Sequence, residues 1–292
     1  NKMKKLLLLL LCVPMIGFGQ TDTIFSNGKK ISCFIKEINS SEVKFSYPNE
    51  DLTNVYNKKI IQKIVFKSGR TEGYEADNLP LIQSIEEYQN VVITQLESDI
   101  SGLYRIGIVT SKAKGATALA NMKKVQDRAI NKIKIFTAMS GGNIIYLSDM
   151  NVVGNRGGTK FSAGTKTSTN ITGISYTSQL LDINELKRLI NINKSYSLSE
   201  TISLAPNNYS YNQRINIGDT INIKSIFLDK GYLYLEAVMD IYTDIKQSDS
   251  KWKKPHNKTI SVNYKVIRFN NEEFTIMWMD GKTIKNSIIK LF

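Results

Sequence analysis

The sequence predicts an α+β fold in three parts: a small N-terminal β-barrel, a central α/β unit with one long helix, and a C-terminal β-rich domain. Three observations predict it. One stretch alone, residues 116–140, has a strong helical period: Leu119, Met122, Val125, Ala129, Ile133 and Phe136 recur at three- and four-residue steps and share one helix face. The stretches before and after it alternate apolar and polar residues with period two, as half-buried strands do. Hairpin turn signals, above all Asn27-Gly28 and Asp280-Gly281, punctuate those stretches.

Residues 1–19 read as an export signal. Lys2, Lys4 and Lys5 form its positive end, residues 6–13 its apolar run, and Gly17-Phe18-Gly19 supplies small residues before a cut expected between Gly19 and Gln20. The apolar run is short and one-sided for a membrane span, and no later run approaches the roughly 18 apolar residues a span needs. The mature chain is therefore expected to be exported without a transmembrane segment, to the periplasm or the outer membrane, or to be secreted. Cys12 opens a lipoprotein alternative, disfavoured because Leu11 before it is not small. Cleavage leaves Cys33 as the one cysteine, so no intramolecular disulfide is expected.

The chain carries a formal charge of +13, and losing the three signal lysines leaves +10. In a cytosolic protein that would raise nucleic acid as a partner. Export removes that partner and favours anionic glycans, lipopolysaccharide or an envelope protein. A lysine-rich solvated surface is the plainer reading.

Residues 20–78 are expected to form the small barrel. Ile31, Cys33 and Ile35 alternate on one face, as do Val43, Phe45 and Tyr47, and a further strand turns at Ser68-Gly69. Cys33 in such a pattern reads as a buried thiol. The pattern Asp22-x-Ile24-x-x-Asn27-Gly28-x-x-Ile31, Glu37-Ile38, Val43-x-Phe45-x-Tyr47 and Ile61-x-x-Ile64-x-Phe66-x-x-Gly69 resembles a recurrent β module of exported Bacteroidetes-type proteins, one that implies no activity.

Residues 79–181 are expected to form the α/β domain. Two short β-branched runs, at 91–94 and 104–110, precede the helix, and Gly141-Gly142 ends it. Residues 144–147 then read as a buried strand. Ala129-x-x-x-Ile133-x-x-x-Thr137-Ala138-Met139-Ser140-Gly141-Gly142-Asn143-Ile144-Ile145 is similar to the helix-to-strand signature of small α/β domains in the RcsF-type stress sensor and the YbjQ-like family, the latter named for heavy-metal binding. Residues 151–172 read as a Gly/Ser/Thr/Asn-rich loop holding Arg156, Lys160 and Lys166, and its backbone N–H groups suit an anion.

Residues 182–210 are expected to be a hinge helix, opened by Asp182, followed by a polar linker. Residues 211–292 are expected to form the last β domain. Its strands carry Ile215, Ile217, Ile221 and Ile223 on one parity, then residues 232–238, then Val262, Tyr264 and Val266, then Phe274, Ile276 and Trp278. Trp278 reads as core, whereas Trp252, in a basic loop, reads as a contact residue.

The chemistry is narrowed by what is scarce. His256 is the one histidine, in a polar Lys-rich stretch, so triad catalysis and zinc chemistry lack their usual residues. No cofactor or metal is expected. Asp240 with Asp244, or Glu272 with Glu273, could serve a carboxylate hydrolase, but strand parity puts the second pair on opposite faces. The expected function is a non-catalytic cell-envelope binding, scaffolding or sensor-type protein. The alternatives are a binder of anionic glycan or lipopolysaccharide, through Arg156, Lys160, Lys166 and Trp252, and a carboxylate-based hydrolase.

Overall fold

The computed structural model describes residues 21–26, 29–74, 79–116, 120–154, 165–243 and 256–292. Among the described residues strand makes up 54% and helix 16%, in three sheets, so the protein is mostly β and the α+β expectation is corrected. The expected long helix is present, but it serves sheets on two sides and heads no separate α/β layer. The chain divides into two compact units, residues 1–77 and 78–292.

The first unit contains β1 (Asp22–Ser26), β2 (Lys29–Ile38), β3 (Glu42–Ser46), β4 (Asn54–Asn57), β5 (Ile61–Val65) and β6 (Thr71–Gly73). They form one antiparallel sheet in the order β4-β3-β2-β1-β5-β6. The expected barrel is corrected, because the end strands carry only four and three residues and do not pair among the described residues. Short edges of this kind limit the unpaired backbone left open. A bulge at Ile35/Glu37 bends the long β2, and Ile24, Cys33, Val43, Phe45, Ile61 and Ile64 are fully buried. Asn27 and Gly28 lie outside the described residues, and the flanking pair Ser26↔Lys29 has the register of a two-residue hairpin. The buried Asp22 carboxylate accepts from the Ile35 and Lys67 N–H groups, each at 2.8 Å, and so ties β2 to the end of β5.

The second unit opens with a 3-10 turn, Ile85–Asn90, then β7 (Val92–Thr94), β8 (Tyr104–Lys114), α1 (Met122–Met139), β9 (Ile144–Val153) and β10 (Ser168–Thr177). Its four-stranded sheet has the order β7-β9-β10-β8, with β7 and β9 parallel. Of the expected helix face, Val125, Ala129 and Ile133 are fully buried, Phe136 packs beside them, Met122 is exposed, and Leu119 lies outside the described residues. Ile135, Ala138, Met139 and even Lys132 are buried as well. α1 also packs against Ile202, Leu204 and Ile284 of the third sheet, which adds a second buried face to its last turns.

The Gly141-Gly142 stop takes the form of a Schellman motif. Gly141 has φ +84, Gly142 N–H donates to Thr137 O at 2.9 Å, and Gly141 N–H donates to Ala138 O at 3.1 Å. The expected loop 151–172 is shorter than its composition implies, because β9 and β10 run into it and pair Val153↔Ser168.

The remaining elements are α2 (Ile183–Leu189), β11 (Ser195–Leu204), β12 (Asn212–Ile215), β13 (Thr220–Asp229), β14 (Tyr232–Thr243), β15 (His256–Phe269), β16 (Glu273–Asp280) and β17 (Thr283–Lys290). Asp182 caps α2 by accepting from Asn184 N–H at 2.8 Å. The stretch expected to be a linker contains β11, the strand on which this sheet turns back on itself. β11 pairs with β13 through its first residues and with β17 through the rest. Tyr196, Leu198, Ile221, Ile223, Leu235, Tyr264, Phe274, Ile276, Trp278 and Ile289 fill the interior. A bulge at Leu198/Glu200 reverses the parity of β11, so Ile202 and Leu204 face outward to α1. Ile221 and Ile223 are buried as expected, but Ile215 and Ile217 are exposed before the turn at Gly218 (φ +81).

Candidate functional site

The outer face of the curled sheet is apolar where it meets α1 and changes character towards β15. In β17 the outward positions are Ile284, Asn286 and Ile288. Asn286 pairs across to Ile202 on β11 and to Met277 on β16. It is 1% exposed, and neither its amide nitrogen nor its carbonyl oxygen has a hydrogen-bond partner. An amide in a core position with both ends unpaired costs about 1–3 kcal/mol for each group.

Asn286 lines a cavity of about 40 Å³ together with Gln83, Ser84, Ile85, Glu86, Ile202, Arg268, Glu273, Thr275 and Ile288. At roughly 10–15 Å³ per water this is room for about three waters or one small polar group. The strands supply its floor, and the segment leading into the first 3-10 turn supplies a wall. Gln83 N–H donates to Glu87 Oε2 at 2.8 Å and holds that wall segment.

Arg268 reaches the cavity because of a second bulge, at Val266/Arg268 on β15. Tyr264 and Val266 point into the sheet's interior, and the extra residue Ile267 lets Arg268 join Lys265 on the outer face. Both cations then meet the C-terminal end of α1, where helix carbonyls concentrate negative partial charge. Arg268 Nη2 donates to Ala138 O at 3.0 Å, and Lys265 Nζ lies 3.5 Å from Ser140 O. Arg268 Nε is buried and unpartnered. Burial pulls its guanidinium down to about 10, against the opposing charges of Glu86, Glu87 and Glu273.

Carboxylates surround this guanidinium. Glu273 takes an ion pair from Lys290, which raises the lysine. Glu200 stands two residues before Ile202, with a buried Oε1 that has no partner. Its carboxyl is raised chiefly by burial and further by Glu86 and Glu273, and the Gln213 hydrogen bond opposes the shift. Tyr211, edge-on to Tyr88, is raised by burial and then by Glu86. The region thus mixes unpaired donors and acceptors, with more carboxylates than cations. Among the described residues no group of three or more His, Cys, Asp and Glu side chains could hold a metal.

A second cavity, of about 30 Å³, lies beside Lys265 and is lined by Ser140, Thr177, Gln179 and Tyr232 among others. The ammonium sits 4.3 Å from the Tyr232 ring centroid, and the Tyr232 hydroxyl donates to Arg105 O. Burial brings Lys265 down to about 8. No acid or electrophile-binding group joins it in that lining, so its role is to close the helix end.

Of the residues expected to bind ligand, Arg156, Lys160 and Trp252 lie outside the described residues, as do Gly19 and Gln20 of the expected cleavage site. Lys166 is exposed just before β10 and does not line the Asn286 cavity. Asp244 is also outside the described residues, and Asp240 accepts from Thr259 Oγ1 at 2.7 Å. His256 begins β15, opposite Thr243. Sequence reading missed Asn286, Arg268 and Glu200. The signal was present in each case as a polar residue at the parity of buried apolar neighbours. Among the described residues, no helix is long and apolar enough to cross a membrane. Comparison with protein families, with characterised proteins and with solved structures returned no match.

Proposed function

We propose that the chain is a non-catalytic cell-envelope protein that binds a small polar group, or a partner displaying one, in the cavity around Asn286. The observation that supports this reading is the buried Asn286 amide with both ends unpaired, beside the unpartnered Nε of Arg268. A purely structural position between Ile284 and Ile288 would be filled more favourably by another aliphatic side chain. The export signal read at residues 1–19 supplies the address. The test is cell fractionation with mass determination of the mature chain, followed by native mass spectrometry of wild type and Asn286→Leu. An envelope-fraction chain starting at Gln20, with a small adduct lost in the variant, is the expected result. A cytosolic chain with an unprocessed N-terminus and no adduct overturns it.

A hydrolytic reading has one observation in its favour. Glu200 is raised chiefly by burial and further by neighbouring carboxylates, while Glu273 is ion-paired with Lys290. Two carboxyls in contrasting environments are what acid and base roles require. Turnover of chromogenic glycosides that disappears in both Glu200→Gln and Glu273→Gln would establish it. No turnover above the buffer rate removes it.

A further inference from the structure

Resting on the reading of the Asn286 cavity as a binding site, we infer that its ligand is the acetamido group of an N-acetylated amino sugar. Charge decides the class first. Glu86, Glu200 and Glu273 disfavour an anion, while Arg268 and the Glu273-bound Lys290 disfavour a cation. A neutral group with both a donor and an acceptor remains. Asn286 offers an N–H and a carbonyl side by side, both unpaired, and a secondary amide is the complement of that pair. The ligand carbonyl accepts from Asn286 Nδ2 and Arg268 Nε, and its N–H donates to Asn286 Oδ1.

The cavity's other walls fit the rest of the group. Ile85, Ile202 and Ile288 are apolar and take a methyl. Its size admits an acetamido group and excludes a whole sugar ring, which leaves the ring at the rim. There the exposed Glu86 carboxylate is an acceptor, and a sugar hydroxyl is a donor that would satisfy it. A peptide amide carries no such hydroxyls, so the sugar is the better complement.

The test uses the full chain, labelled with 15N-asparagine, and follows the Asn286 side-chain amide signals by NMR. The signals are assigned by their loss in Asn286→Leu, or by backbone correlation if that variant does not fold. Titration with N-acetylglucosamine should move them saturably, and glucose, lacking the amide, should bind at least about tenfold more weakly, the loss expected for one or two good hydrogen bonds. Thr275→Val, at the wall of the cavity, should fold and weaken the N-acetylglucosamine response severalfold. Equal response to glucose overturns the inference, as does stronger binding of N-acetylglycine methylamide. If methylammonium or acetate moves the Asn286 signals and N-acetylglucosamine does not, the sugar inference fails while the cavity still binds. If none of these probes moves them, both readings fail.

Discussion

Lys265 should destabilise the protein at neutral pH, and its replacement by methionine should relieve the strain. The side chain is 9% exposed, and what it meets is one carbonyl at 3.5 Å and the face of Tyr232. No carboxylate among the described residues pairs with it, and burial brings it from 10.5 to about 8. At about 1.4 kcal/mol per pH unit that fall corresponds to roughly 3 kcal/mol. The sign follows from proton counting. Below pH 8 both folded and unfolded chains carry the proton, and the folded state bears the whole penalty. Between pH 8 and 10.5 the unfolded chain binds more protons, so stability gains from this group as pH rises. Above 10.5 the penalty is gone. Tyr232 does not reverse this, because burial pushes its hydroxyl up as well. Lys265→Met keeps the length and removes the charge, so at pH 7 it should be more stable by about 1–3 kcal/mol, or several degrees in Tm for a unit of this size. The advantage should shrink towards zero by pH 10.5. Thermal unfolding of both proteins across pH 7–10.5 measures it. A methionine variant that is less stable at pH 7, with a difference that does not change with pH, would refute the reasoning.

Other outcomes follow from single contacts. Asp22→Ala removes the acceptor of two backbone N–H groups and should lower stability by about 3 kcal/mol, seen as faster hydrogen exchange in β1, β2 and β5, with Asp22→Asn intermediate. Gly142→Ala would place a Cβ 2.3 Å from Ser175 Oγ and 2.8 Å from Thr137 Cγ2, so it should lose about 3 kcal/mol in denaturant titration. Cys33 is pushed up to about 12, chiefly by burial and then by Asp22, so iodoacetamide at pH 8 should label it only after unfolding. Asp280, held down to about 2 mainly by hydrogen bonds from Lys285 and Lys258, should stabilise above pH 4 and lose that contribution as pH falls through 2. The group is partly exposed, so Asp280→Asn should cost well under about 1 kcal/mol at pH 7 and nothing once the pH is below 2.

Much of the fold was legible because two signals are local. Alternation placed the strands around Cys33, Phe45, Tyr264 and Ile276, and the 3.6-residue period placed α1. Closure and partnering were not local. Whether the first sheet closes depends on the lengths of β4 and β6, and no residue in either announces that it stops after three or four positions. β11 was hidden for a related reason. Six of its ten residues, Ser195 to Leu204, are serine, threonine or glutamate, and Glu200 interrupts the apolar series Tyr196, Leu198, Ile202 and Leu204. The second buried face of α1 was unreadable because Lys132 sits in it. That lysine reaches out to the Pro206 carbonyl, and burial lowers it.

The candidate site depends on the same two irregularities. Without the bulge in β11, the parity of Tyr196 would continue and Ile202 would turn inward, away from Asn286. Without the bulge in β15, Arg268 would share the interior with Tyr264 and Val266, away from the Ala138 carbonyl. Each bulge shifts one strand by a residue, and together they bring a guanidinium and the Glu200 carboxylate to the outer face that also carries Asn286. Period-two reading assumes that no such shift occurs, so it fails at the positions where chemistry collects. Bulges are common at places that must aim a side chain. The sharper sequence signal is therefore a polar residue on apolar parity, as Asn286 is between Ile284 and Ile288, and it points to this cavity ahead of the basic loop residues.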